Sequence, residues 1–288
     1  MRSTLIDISD KIASSIVEIL SAIKEIVEKN EVDFFVTGAT ARDIILNTVY
    51  KIKVPRATND IDFAIRIDSW TQFDAITKDL INKGFVETNI IHRFKYRSFP
   101  VDFIPFGKIA VDESKFKWPD KDEKEMSVLG FEEVYENIEL IKVRKEPETI
   151  IKFASVEGLT ILKFLSWAEN PTRSPKDAND LLLIMKTYID AGNLERMMNE
   201  HEDLVDETFD YETIGARLLG RDIVKIAKSN TIGFILKILN NEIENRGVAQ
   251  LASEMSRYEY SFDEAKEKTE FALQLLKNFK LGLEEKYK

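Results

Sequence analysis

The hydrophobic period of this chain changes once, near Ser155, and that single change limits the folds open to it. Before Ser155, short apolar runs with the two-residue alternation of strands are interleaved with helix-period stripes. After it, every clear period is helical. Interleaving followed by pure helix predicts an α+β chain: a small mixed β-sheet flanked by helices over residues 1–150, then an all-helical domain over residues 151–288.

In the first part, Ile8, Ile12, Ile16, Leu20, Ile23 and Val27 recur at steps of three or four and predict one long amphipathic helix. Val32 to Thr37 reads as a buried strand, Gly38-Ala39-Thr40 as a tight turn, and ARDIIL as a short helix. Asp60 to Ile67 alternates as a strand, Ser69 is placed to cap the helix that follows, and Gly84 to end it. Two further strands, His92 to Phe99 and Val101 to Phe106, are read as separated by Pro100. Between Gly107 and Pro147 the signal weakens, with a strand pair expected around YENIELIKV.

In the second part, Leu159, Leu162, Lys163 and Trp167 share one helical stripe, and Leu181, Leu182, Met185 and Tyr188 another. Ser261 with Glu264 fits a capping box for the last helix. The acidic run from Glu200 to Glu212, which contains no lysine or arginine, reads as a solvated face or loop.

Composition narrows the chemistry. With no cysteine and only His92 and His201, thiolate zinc sites, iron–sulfur clusters, disulfides and cysteine nucleophiles are excluded, leaving carboxylates, hydroxyls and cations. The 41 basic and 51 acidic residues give a formal charge of −10, which argues against an extended nucleic-acid surface. A local phosphate site needs only a few donors within a Debye length of roughly 8 to 10 Å and is compatible with that charge. The N-terminal residues lack a secretory layout, and no stretch approaches the roughly 18 uncharged residues of a membrane span, so a cytoplasmic location and no membrane partner are expected.

The most informative local pattern is Asp60-Ile61-Asp62. On a strand the two carboxylates leave the same face, about 7 Å apart along the backbone, while Ile61 points to the core. Asp102, in the similar frame Val101-Asp102-Phe103, joins them if its strand lies alongside. Three such carboxylates repel by about 4 kcal/mol per pair at ~4 Å and an effective dielectric of 20. Either their pKa values rise or a cation binds. All-oxygen ligation suits Mg2+ or Mn2+, and paired ions of that kind serve in-line displacement at phosphorus. Asp120-Lys121-Asp122 has the same spacing but no strand pattern, and reads as a solvated loop.

Gly38-Ala39-Thr40 stands between a strand and a helix, where a glycine admits close approach of a ligand and free amides favour a phosphate. Thr40 and Arg42 are candidate additional donors; a plain strand-to-helix turn is the alternative. The Walker, dinucleotide-binding and nucleophile-elbow patterns are absent. His92 and Arg93 begin a strand near Asp102 and are candidates to face a nucleotide or to be ordinary strand residues. Arg56 and Thr58 would close over the site or sit in a solvated loop. Trp118 and Trp167 read as packing residues rather than a base-stacking platform.

A glycine turn at a strand end, an arginine, D-x-D on a strand and a later single aspartate, here GATAR, TNDIDFAI and VDFIPFG, resemble the polymerase-beta-type nucleotidyltransferase superfamily. More closely, the chain is similar to bacterial and archaeal nucleotidyltransferases that include abortive-infection toxin-like proteins. In those the helical half carries a lysine and a K-D-x-x-D-like element, here Lys163 and Lys176-Asp177 to Asp180. The resemblance spans roughly Val32 to Tyr188.

That resemblance implies metal on Asp60, Asp62 and Asp102, one of which would help deprotonate the attacking hydroxyl. It implies triphosphate contacts from Gly38, Ala39, Thr40 and Arg42, and an approach of Lys163 to nucleotide phosphate or base, with Lys176 and Asp177 beside it. Ala39 stands where many members have serine or glycine, which leaves the triphosphate to backbone amides or Thr40. Lys176 and Asp177 are also explained as the polar first turn of a helix. The implied activity is transfer of NMP from an NTP to a hydroxyl of a protein, a tRNA end or a small molecule, with a cognate antitoxin as partner. A non-catalytic nucleotide-binding module or a phosphohydrolase would use the same residues.

Overall fold

A computed structural model describes residues 5–55, 58, 60–119, 125–169, 175–205, 210–244, 249–256 and 262–287. The Asp120/Asp122 pair, Arg56 and Ser261 of the expected capping box lie outside them. The chain divides into two compact units, Met1–Ser155 and Val156–Lys288.

In the first unit the strands are β1 (Ile6–Asp7), β2 (Asp33–Thr37), β3 (Ile61–Arg66), β4 (Phe85–Glu87), β5 (Arg93–Tyr96), β6 (Phe99–Phe106), β7 (Lys115–Lys117), β8 (Glu125–Ser127), β9 (Ile138–Arg144) and β10 (Thr149–Ala154). The helices are α1 (Ser14–Lys29), α2 (Gly38–Arg42), α3 (Trp70–Asn82) and α4 (Phe131–Glu136), and a π-helical stretch, Asp43–Val49, continues α2. Eight strands form one mixed sheet in the order β1-β9-β10-β2-β3-β6-β5-β4, while β7 and β8 pair separately. The weak-signal segment thus enters the main sheet: β9 pairs antiparallel with β10, and β10 runs parallel to β2.

Alternation assigns the two faces. One carries the aromatic ladder Phe34–Phe63–Phe103–Phe94, with centroids 6.1, 5.5 and 5.6 Å apart, and Tyr96, whose hydroxyl donates to Glu18 of α1 at 3.0 Å. The buried stripe of α1, Ile19, Leu20, Ile23, Ile26 and Val27, supplies the other side of that layer. The opposite face carries Phe35 and Phe106, 5.7 Å apart and covered by Phe131 and Tyr135 of α4.

Two boundaries differ from the periodicity. Helix α1 starts at Ser14 rather than near Ile8, because Ile8 donates its N–H to Lys142 and prolongs the β1–β9 pairing, while Asp7 accepts from the Ser9 N–H and closes a turn. The β5–β6 turn falls at Arg97-Ser98, where Arg97 has φ 54°, and Pro100 lies inside β6. Pro100 is tolerated because it faces Lys95 in a non-hydrogen-bonded pair, and β3 begins pairing only at Val101.

Trp70 and the buried Phe73, Phe116 and Trp118 form one aromatic cluster with centroids 5.1 to 5.9 Å apart, so Trp118 packs as expected.

In the second unit every described element is helical: α5 (Val156–Glu169), α6 (Lys176–Thr187), α7 (Leu194–Glu200), a 3-10 turn at Glu202–Leu204, α8 (Tyr211–Ile226), α9 (Ser229–Glu244), α10 (Gln250–Met255) and α11 (Phe262–Tyr287). Helices α8 and α11 make the most extensive contact. Their backbones meet where Gly220 and Gly282 leave space: a Cβ on Gly282 would lie 2.0 Å from the Arg217 carbonyl oxygen. The acidic run is only partly a solvated face, since Asp203 pairs with the buried Arg221 and Asp210 caps α8 by accepting from the Thr213 N–H at 2.9 Å. Trp167 donates its indole N–H to Glu254 at 2.8 Å.

Candidate active site

The chemistry-bearing residues of the first unit lie on one cross-strand row. Thr37 of β2 pairs with Asp62 of β3, Asp62 with Asp102 of the parallel β6, and Asp102 with Arg93 of the antiparallel β5. Register partners share a face, so the four side chains leave the sheet on the same side, with neighbouring backbones about 4.8 Å apart. Asp102 is 6% exposed; Asp62 and Arg93 are half-buried.

The turn after β2 is shaped for this row. Gly38 has φ 66°, and a Cβ there would fall 1.9 Å from Asp62 Oδ2. Only glycine therefore lets the Asp62 carboxylate rest against the turn. Thr40, buried at 4%, donates its hydroxyl to the Asp60 main-chain oxygen at 2.6 Å. Thr58 donates to Asp60 Oδ1. The Asp60 backbone and carboxylate are thus each held by a threonine.

Arg93 binds Asp102 through both oxygens, Nε to Oδ1 at 2.7 Å and Nη2 to Oδ2 at 2.6 Å. The pair is non-hydrogen-bonded in the β5–β6 ladder, the type in which facing side chains come closest. Hydrogen bonding to Asp102, opposed by burial and reinforced by the charges of Asp102, Asp60 and Asp62, holds the Arg93 guanidinium above its ordinary pKa.

Two expected phosphate donors are committed elsewhere. Thr40 has one hydroxyl proton and gives it to Asp60. Arg42 is 1% exposed and bonds Asp43 through Nε at 2.8 Å. Ala39 is buried in α2. Both polar side chains brace the turn from within.

In the second unit, Lys163 Nζ lies 2.7 Å from Asp177 Oδ1 and 2.9 Å from Asp180 Oδ2, and Ser166 donates to Asp177 Oδ2 at 2.9 Å. Burial would lower the Lys163 pKa, but the two carboxylates outweigh it and raise it. Lys176 is exposed at the start of α6. The first helical turn therefore does hold Asp177, as a partner of Lys163.

The carboxylates suit a hard divalent ion by donor type, and the missing side chain at Gly38 gives the Asp62 carboxylate its room against the turn. Arg93 takes two of the roughly four lone-pair positions of Asp102 and leaves the others. Among the described residues no three acidic or imidazole side chains are already gathered into a cage. Asp60, Asp62 and Asp102 offer only carboxylate oxygens, the donor type that such an ion takes.

The sequence offers Arg93 as a strand residue near Asp102 and a candidate to face a nucleotide, not as the partner of Asp102; the signal for that pairing is the hairpin register, with the turn at Arg97-Ser98 placing Arg93 opposite Asp102.

The structure thus sets a glycine turn against Asp62 of D-x-D, with a third aspartate in register on the neighbouring strand. The chain belongs to the nucleotidyl transferase AbiEii toxin family of type IV toxin–antitoxin systems, whose model matches residues 18–268. No curated protein matches it. Among solved structures it is similar to the antibiotic-resistance factor ANT(2'')-Ia, with 15% identity over 67% of this chain and 95% of that one and a TM-score of 0.38. A CCA-adding enzyme in complex with ATP shows 14% identity over 91% and 67% of the two chains, TM-score 0.31. The CdnE c-UMP-AMP synthase of Rhodothermus marinus shows 9% over 91% and 90%, TM-score 0.30. No helix among the described residues is long and apolar enough to cross a membrane.

Proposed function

We propose that this nucleotidyltransferase moves NMP from an NTP to a hydroxyl acceptor in a reaction that needs Mg2+ or Mn2+. The observation that carries it is the register of Asp62 with Asp102 beside the Gly38 turn. Asp60, Asp62 and Asp102 would hold the metal, which supplies charge neutralisation at phosphorus. One of these carboxylates would accept the proton of the attacking hydroxyl. Thr40 and Thr58 fix Asp60, Gly38 admits Asp62, and Arg93 fixes Asp102. Catalysis would come from positioning and charge, with no covalent protein intermediate. The triphosphate would rest on backbone amides of the Gly38 turn.

The acceptor is a protein side chain, a tRNA end or a small molecule, and the family makes a cognate antitoxin the expected regulatory partner. The test is incubation with each α-labelled NTP, Mg2+ and a cell lysate, scoring pyrophosphate and labelled acceptor. Wild-type protein should label an acceptor, and Asp62→Asn should not while keeping its circular dichroism. Binding of NTP without transfer to any acceptor, or release of phosphate alone, would refute the transferase.

A further inference from the structure

Arg93 stands at the end of the row Thr37–Asp62–Asp102–Arg93 and holds a nearly buried carboxylate with a guanidinium whose side chain is 36% exposed. A partly exposed ion pair of this kind adds little stability on its own. Its geometry is more informative. The two-point fork fixes the plane of the Asp102 carboxylate, which a single-point contact would leave free to rotate. It also places one positive charge beside Asp60, Asp62 and Asp102, so the group carries a net charge of about −2 with Arg93 and −3 without it.

We propose that Arg93 is a positioning residue that sets the affinity of the carboxylate group for its divalent ion and orients Asp102 as a ligand, a role that rests on the metal-dependent function above. The two parts separate by chemistry. Charge weakens the hold on a cation, because Arg93 competes for the same carboxylates. The fork improves turnover, because it keeps Asp102 in one orientation. Removing the charge should therefore tighten metal binding while slowing the reaction, the opposite of what loss of a mere structural support would do.

The experiment is a calorimetric titration of Mn2+ into the nucleotide-free protein, alongside turnover, for wild type, Arg93→Gln, Arg93→Lys and Asp62→Asn. Arg93→Gln should bind Mn2+ about tenfold more tightly, from the loss of one nearby positive charge. Arg93→Lys, which keeps the charge and loses the fork, should bind Mn2+ within about twofold of wild type and turn over about tenfold more slowly. Unchanged or weaker Mn2+ binding by Arg93→Gln overturns the proposal. So does full turnover by Arg93→Lys, which decides the matter if Arg93→Gln does not fold. Mn2+ binding that is absent in wild type, or unaffected by Asp62→Asn, instead overturns the metal-dependent function and this proposal with it.

Discussion

Gly38 and Asp62 occupy one another's space: the position a Gly38 Cβ would take lies 1.9 Å from Asp62 Oδ2 and 2.7 Å from its carboxyl carbon. The glycine of the turn and the second aspartate of D-x-D, 24 residues apart by number (62 minus 38), are therefore a single steric unit.

Gly38→Ala should accordingly behave as an Asp62 variant. The methyl group must push the carboxylate off its place, and the left-handed backbone adds about 1–2 kcal/mol of strain. Turnover should fall by about 100-fold, as for an ångström-scale misplacement of a reacting group, with the fold retained by circular dichroism. Wild-type turnover in Gly38→Ala would show that Asp62 is not at the centre of the chemistry.

Thr40→Val tests whether the hydroxyl serves the protein or a ligand. Loss of its 2.6 Å bond to the Asp60 carbonyl should cost about 1 kcal/mol in denaturant unfolding and slow turnover by about tenfold, with little change in apparent NTP affinity. A large loss of NTP affinity with unchanged stability would assign the hydroxyl to the triphosphate.

In the second unit, Gly282→Ala should destabilise the α8–α11 crossing. Its Cβ would stand 2.0 Å from the Arg217 carbonyl oxygen, a rigid backbone atom, so the helices must part. We expect a loss of at least about 3 kcal/mol, the upper end for overpacking, and lower protein yield. Gly233→Ala is the control, since nothing lies within 4 Å of its Cβ. Equal stability of the two variants would contradict the packing.

His201 should make the second unit acid-sensitive. Its Nδ1 lies 3.1 Å from Arg221 Nη1, which can only donate, so the ring is neutral there with its proton on Nε2. Burial, together with Lys225, Arg196 and Arg221 and against the attraction of Asp222, holds its pKa below the ordinary 6.5. Below about that pH the unfolded chain takes up a proton that the folded imidazole refuses. The stability is present above pH 6.5 and is lost as pH falls toward the folded-state value. Urea unfolding at pH 7.5 and 5.5 should show a drop in wild type that shrinks in His201→Gln; an equal drop in both would exclude this histidine.

The division into a strand-bearing half and a helical half, the cysteine-free chemistry, and the strand that carries Asp62 were all legible in the amino-acid order. Each depends on local period or on residue type, which needs no partner. Whether Asp102 stood beside Asp62, and on which face, was decided by the parallel register of β3 with β6. The same holds for Arg93, brought to Asp102 by a turn at Arg97-Ser98 that the periodicity had placed at Pro100. Thr40 and Arg42, indistinguishable in sequence from phosphate donors, are turned inward on Asp60 and Asp43 because the turn after β2 packs on β3. Local order along the chain sets what each segment becomes, but only long-range strand pairing sets which charges must share one small volume, and that sharing makes the site.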